Sequence, residues 1–473
     1  MPSLNPDPAP SAGADSNDNN NPGSGITAAP ILLRTTTPEA EFNSAVFSRV
    51  FNQRRPDLSF SIPWQHFRQP YASCKPLTVS DVVACVDLAR KEDKRIAIRS
   101  GGHSWACWSI RYDSILLDMV DFEGGVGSIR WEPEMGEGVN WGWACEYVVG
   151  VDVVTAGLEV LHLSETQDAD LFYAARGAGP AFPAVVTRFY MKTLPLLPMW
   201  QSLYFFDIAH FKEVQEWLVK LSPTASPTLE IVLVSAFIPQ SSPTPTLTAV
   251  FTSFAPSHTA ALSALTPIHD SLPCAPSTSP DHPNRFCAPT SLPEEYAAQL
   301  AGNAAPGFRT RSDNAYLSND LSPSQIAAAL EPAFSTLPTK QSTALWFSMN
   351  PTSRRQLPEN MMLSMQSDHY FSVYAVWEEE KDDEMCDGWV RGVFTNLENQ
   401  EGTLAGSYLG DADFQFRKAG GKFWGEGRNN LRDVKAKWDR EGRFCGLLEG
   451  HEAFGEGIRL GRNIYACETE REE

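Results

Sequence analysis

The chain has 473 residues, 42% of them hydrophobic and 11% aromatic, and a formal net charge of -20. That length predicts two or three domains with sizeable cores, and a field of that sign repels phosphate backbones and so argues against a nucleic-acid partner. No run approaches the ~20 apolar residues of a spanning helix, which argues against a membrane partner.

Residues 1–28 are rich in Pro, Asn, Ser, Asp and Gly, a composition that predicts disorder. The same end lacks the basic patch and apolar run of a secretory signal, so a soluble, cytoplasmic-type protein is expected. The nine cysteines are odd in number and scattered, without a CxxC pair. That spacing suits neither a disulfide framework nor a zinc site, and no metal site is expected.

Val82, Val83, Val86 and Ala89 recur at helical spacing, with Ser80 or Asp81 as the cap. Arg95–Arg99 reads as a short strand ending in the Ser100-Gly101-Gly102 turn. Further strands are expected at Ser114–Asp118 and Val148–Thr155. Helix and strand alternate here as in an α+β nucleotide-binding layer. Beyond residue 200, Ser202–Phe206, Leu229–Phe237, Leu247–Phe254, Thr343–Met349 and Tyr370–Glu378 read as strands. Between them, His210–Leu221 has one apolar face, and Ser322-Pro323 opens a helix over Ser324–Phe334. This part predicts a second α+β domain on an antiparallel sheet. Residues 270–293 hold six prolines and are expected to be a loop.

Two runs carry chemistry. In Arg99-Ser100-Gly101-Gly102-His103-Ser104-Trp105 a strand runs into two glycines, which let a ligand approach the backbone, and then into a histidine. Taken alone, the run is either a ligand loop presenting an imidazole or a tight turn with a structural histidine. In Asp168–Pro180 a helix empties into Arg176-Gly177-Ala178-Gly179, and the strand Val185-Val186-Thr187-Arg188-Phe189 follows. Its backbone N–H groups could meet a pyrophosphate. A dinucleotide fingerprint fails here, because it needs the strand before the glycines and the helix after them.

These runs in this order resemble the FAD-linked oxidases with a PCMH-type FAD-binding domain, typified by berberine bridge enzyme and 6-hydroxynicotine oxidase. Gly406–Asp411, Phe423-Trp424-Gly425 and Lys437–Phe444 resemble the segment that returns to the flavin domain in that family. The resemblance covers roughly residues 65–450. It implies a two-part FAD-binding domain with an inserted α+β substrate domain. The expected boundaries are a low-complexity tail at 1–40, FAD-binding parts at 41–198 and 405–450, a substrate domain at 199–404, and an atypical tail at 451–473.

The resemblance further implies that His103 bonds covalently to FAD and that Ser100, Gly101, Gly102 and Ser104 cradle its pyrophosphate. Gly177, Gly179, Val185 and Val186 would line the other side of the cofactor. A hydride would pass from a small organic substrate to FAD, and then the electrons to O2, in a fungal-type specialised pathway. Alternation along Tyr370–Glu378 places Tyr370, Ser372, Tyr374 and Glu378 on one face, so Tyr370, Tyr374 or Glu378 is a candidate base. The competing reading of that face is solvent exposure. Asp411 and Asp413 loosely match an Asn-Tyr-x-Asp turn near the flavin ring in relatives, while His369 falls on the opposite face as a structural residue.

Between His103 and Asp170 the chain is shorter than its relatives. Gly138–Gly142 joins almost directly to Trp143-Ala144-Cys145, without the second glycine-rich FAD stretch. Cys145 lies downstream of the position for a second covalent link and reads as a small buried hydrophobe. The shortening implies either a skipped exon or a degenerate member. A degenerate member would act as a non-catalytic binding or scaffolding protein.

Overall fold

A computed structural model describes residues 31–47, 70–102, 104–105, 109–111, 113–122, 142–193, 195–279, 282–302, 308–412, 421–425 and 427–446. The first layer contains β1 (Ile31–Leu33), α1 (Glu39–Phe47), β2 (Ala72–Cys74), α2 (Val79–Lys91), β3 (Arg95–Arg99) and β4 (Ser114–Asp118). Its sheet runs β1-β2-β4-β3, with β2, β4 and β3 parallel and β1 antiparallel to β2. Helix α2 buries Val82, Cys85, Val86 and Ala89 on one stripe, while Val83 is half-buried.

Neither Ser80 nor Asp81 is the cap of that helix. Thr78 caps it, its hydroxyl accepting the Asp81 N–H at 3.2 Å, and the Asp81 carboxylate accepts the Thr78 N–H at 3.0 Å. The acidic residue three places on thus completes a capping box rather than starting the helix. At the end of β3, buried Arg99 pairs with Asp118 at 2.7 Å and donates to the carbonyls of Ala45 and Val46.

The second layer holds β5 (Val148–Thr155), β6 (Val160–Leu163), α3 (Ala169–Ala175) and β7 (Ala184–Met191). Its three strands are antiparallel in the order β6-β5-β7. Val154 and Val185 from this sheet join the core of the first layer, so the two sheets share one interior.

The largest unit comprises β8 (Met199–Asp207), α4 (Phe211–Leu221), β9 (Leu229–Ala236), β10 (Thr246–Phe254), α5 (His258–Asp270), β11 (Arg285–Thr290), α6 (Leu292–Gly302), β12 (Arg309–Leu317), α7 (Pro323–Ser335), β13 (Thr343–Ser348), β14 (His369–Trp377), α8 (Asp383–Glu398) and β15 (Leu404–Gly406). All eight strands are antiparallel, in the order β11-β8-β10-β9-β13-β14-β12-β15. Period-2 alternation sends Leu233, Phe251, Trp346 and Phe371 to one side, where they pack with Val214, Leu265, Phe334 and Phe394 of the helices.

Part of the expected loop at 270–293 is strand β11. It pairs at the sheet edge with a register shift and carries Pro289, and an edge tolerates both. Ser322 caps α7 with Pro323 at its start, as its sequence indicates, and Gln325 completes a second capping box.

The chain then returns through α9 (Gly421–Trp424) and α10 (Gly427–Trp438). The Trp438 indole N–H and Lys437 both donate to Asp170 of α3, at 3.0 and 2.8 Å. Residues 443–445 run beside β3, the Ile96 N–H donating to the Arg443 carbonyl at 2.7 Å and the Cys445 N–H to that of Ile96 at 2.8 Å. Among the described residues no helix is long and apolar enough to cross a membrane.

Candidate active site

The phase of β14 decides which side chains leave the helical core. Phe371, Val373 and Ala375 enter that core, so Tyr370, Ser372 and Tyr374 project from the other face. Cross-strand register extends this face in rows. Tyr316, Tyr370 and Phe347 form one, continued by Val232, Val250 and Leu203, and Asn314, Ser372, Leu345 and Val234 form the next. The face is therefore phenolic at the β12–β14 end and aliphatic towards β8. It is not a solvent face, since Tyr370 and Ser372 are buried and Tyr374 half-buried.

Asp411 closes the phenolic end. One of its carboxylate oxygens accepts from both Tyr370 and Tyr374 hydroxyls at 2.9 Å, and the Ser372 hydroxyl donates to the Tyr374 oxygen at 3.1 Å. Asn314 fixes the segment that carries Asp411. Its amide donates to the Tyr408 carbonyl at 2.8 Å, and its side-chain oxygen accepts the Tyr408 N–H at 2.7 Å. Burial pushes the Asp411 carboxyl above its ordinary range, although the two phenols pull the other way. Burial likewise raises both phenols, and the Asp411 charge adds to that.

Two aromatic contacts reach this face from the first two layers. The Trp105 ring lies 4.7 Å from that of Tyr374, and the Trp143 ring meets Tyr316 edge-on at 6.5 Å. The end of the Arg99–Trp105 run is thus brought against the tyrosines. Ser100 and Gly101 are exposed on the turn after parallel strand β3, Gly102 sits at φ +75°, and Ser104 is half-buried. Carboxyl ends of parallel strands are where open sheets receive ligands. His103 and Asp413 lie outside the described residues.

No protein-family model matches the chain. The FAD-linked oxidoreductase janO of Penicillium janthinellum is 32% identical over 470 aligned positions, which take in 89% of this chain and 98% of that protein. The FAD-linked oxidoreductase nodO of Hypoxylon pulicicidum is 31% identical, covering 89% of this chain and 97% of its own length. This chain belongs to the FAD-linked oxidoreductases. Solved structures agree on the fold of this FAD-linked oxidoreductase. BBE-like 1 of Physcomitrella patens superposes with a TM-score of 0.68 at 16% identity, over 92% of this chain and 97% of that one. The 6-hydroxy-D-nicotine oxidase of Arthrobacter nicotinovorans gives 0.67 at 15% identity, over 89% and 97%. These two likenesses match the family resemblance of the sequence motifs.

Other residues of this FAD-linked oxidoreductase fall differently from expectation. Glu378 lies past the end of β14 and is exposed, so it leaves the face of Tyr370 and Tyr374. Gly177 has φ +147°, and a Cβ there would lie 2.2 Å from the Leu363 nitrogen; at Gly179 it would lie 2.9 Å from the Leu409 side chain. On that side both glycines meet protein rather than an open cradle. The freedom of Gly177 serves the close docking of Met362-Leu363, whose N–H groups donate to Tyr173 and Arg176 carbonyls at 3.2 and 3.1 Å, while Gly179 makes room for Leu409. Val185 is fully buried and Val186 half-buried, both paired with β5 on the edge strand β7.

Cys145 is half-buried with Sγ 4.0 Å from the Met361 sulfur, and burial pushes its thiol up to about 11. Such a thiol stays protonated and unreactive near neutral pH. Sequence reasoning missed Tyr316, Asn314 and Tyr408. For Asn314 and Tyr316 the signal was the alternation of Ser312, Asn314 and Tyr316 along β12, which becomes legible only once β12 is known to pair with β14.

Proposed function

We propose that this FAD-linked oxidoreductase is an oxidase of a small organic substrate, with FAD held covalently by His103. The observation that carries the reading is the Asp411 carboxylate joined to Tyr370 and Tyr374 on a face that Trp105 touches. An exposed turn with a left-handed glycine, at the carboxyl end of β3, fits a cofactor edge. In this reading residues 41–198 and 405–450 hold the FAD, Ser100, Gly101, Gly102 and Ser104 lie along its phosphates, and residues 199–404 form the substrate side. Gly177, Gly179, Val185 and Val186 shape the second wall indirectly, Gly177 by seating the 362–363 segment, Gly179 by seating Leu409, and the valines by forming the edge strand β7.

Bound FAD would supply the acceptor for a hydride and the route by which its electrons reach O2. The chain supplies the proton path. A substrate hydroxyl or amine proton moves to the Tyr374 or Tyr370 oxygen, and that phenol's own proton moves along its hydrogen bond to Asp411. A carboxyl raised by burial holds the arriving proton better than an ordinary aspartate would. Ser372 keeps the Tyr374 oxygen aimed, and the apolar part of the row, Phe347, Val232, Val250 and Leu203, favours an apolar substrate skeleton.

The test is anaerobic reduction of the flavin by a panel of apolar alcohols and amines. Tyr374→Phe and Asp411→Asn should keep their bound flavin yet slow its reduction about a hundredfold or more. Reduction at parental rates in both variants would remove the tyrosine–aspartate face from the chemistry.

A further inference from the structure

Away from the tyrosine face, a cluster of unlike ligands stands on the helical side of the large sheet. His210 Nδ1 or Nε2, a Glu213 carboxylate oxygen and Cys274 Sγ lie within 4.8 Å of one another. His210 is the residue that opens α4 and Glu213 sits in the helix's first turn, with Nδ1 and Oε2 3.3 Å apart. Cys274 comes from the loop just past α5, half-buried against the core that both helices share. The Trp217 indole N–H of α4 donates to the Ser271 hydroxyl at the end of α5 at 3.2 Å, so a side-chain hydrogen bond already joins the two helices.

We infer that His210, Glu213 and Cys274 form a binding site for one divalent cation of zinc-like character, with water completing a tetrahedron. Nitrogen, oxygen and sulfur donors together suit a borderline-soft ion better than magnesium or calcium, which take oxygen ligands. Bonds of about 2.0–2.3 Å set ligand atoms roughly 3.3–3.8 Å apart around a tetrahedral ion. The His210–Glu213 edge already meets that spacing. The side chains of His210 and Glu213 are 46% and 52% exposed, so they can rotate toward the half-buried sulfur.

A free cysteine thiol is mostly protonated near neutral pH. Binding therefore converts S–H to a thiolate and releases one proton to solvent. The ion links α4 to the loop that leads into edge strand β11, so it acts on stability independently of the flavin. The sequence conceals the site, because His210 and Glu213 are three residues apart while Cys274 lies a long way downstream.

Cobalt titration of the tag-free full chain tests the inference. The expected result is one equivalent bound, with ligand-field bands at wavelengths beyond flavin absorption and a thiolate charge-transfer band. Cys274→Ser should abolish that band, and His210→Ala and Glu213→Gln should each weaken binding about tenfold or more. Zinc should displace the cobalt and raise the Tm of the parent but not of Cys274→Ser. His210 and Glu213 are exposed, so their variants should fold even if Cys274→Ser does not. Absence of saturable cobalt binding, or one-equivalent binding unchanged in the His210 and Glu213 variants, overturns the site and leaves the oxidase reading untouched.

Discussion

Asp411 is half-buried and receives two phenolic hydrogen bonds, yet its carboxyl is raised rather than lowered, because desolvation outweighs the donors. The native state thus favours the protonated form. Its contribution to stability is complete at low pH and is lost as pH rises from the ordinary carboxylate range through the raised value. Asp411→Asn should therefore gain on the parent in stability as pH rises through that window, checked by Tm against pH; a constant difference contradicts it.

His369 shows the opposite sign. Burial pulls its imidazole from 6.5 down to about 4. Its stabilising contribution is present above pH 6.5 and lost as pH falls toward 4, at most roughly 3 kcal/mol. Denaturant unfolding should show the parent losing stability over that window relative to His369→Gln. Equal acid sensitivity in the two proteins would refute it.

At this scale alternation made Tyr370 and Tyr374 legible as neighbours on one face. It failed at Glu378, because a period-2 count does not show where the strand stops. Asp411 was marked only through the resemblance, as part of a turn near the flavin ring; its bonds to both phenols were not legible, since it comes from a separate segment that Asn314 positions.

Elements were legible where local chemistry and tertiary packing agreed. The Ser322-Pro323 start of α7 is such a place. At α2 the cap moved to Thr78 because Asp81 answers it from inside the helix, so Thr78→Ala should cost about 1 kcal/mol by denaturant unfolding. β11 was hidden because Pro289 and the prolines flanking the strand read as loop, while an edge strand needs to offer hydrogen bonds on one side only.

The join between α8 and β12 has no sequence signal at all. Arg309 and Arg311 project from β12 into bidentate pairs with Asp383 and Asp387 of α8, all four side chains buried. Arg311→Met should destabilise the protein by about 3–5 kcal/mol by taking the bidentate partner from buried Asp387 and leaving it the longer 3.9 Å contact with Arg391, whereas the double change with Asp387→Leu should recover most of that loss. Equal losses in the single and double variants would show that the pair itself, and not the stranded charge, carries the effect.

For the whole molecule, the ordered set of motifs in the sequence marked both halves of the site. What the motifs could not convey was how the halves are pressed together. Gly177 lets the 362–363 segment dock against the end of α3, and Trp105 meets Tyr374 across the same divide. The alignment with janO runs over 470 positions, more than the 89% of this chain that it uses. Relatives therefore carry residues with no equivalent here.

The central claim is that the glycine turn after β3 presents His103 to a flavin facing the tyrosines. Acid precipitation of the purified protein, followed by mass analysis of the peptide containing His103, tests it most directly. The account predicts yellow precipitate and an added flavin mass on that peptide, both absent in His103→Ala. Flavin released entirely into the supernatant, or a parent protein with none bound, would contradict it.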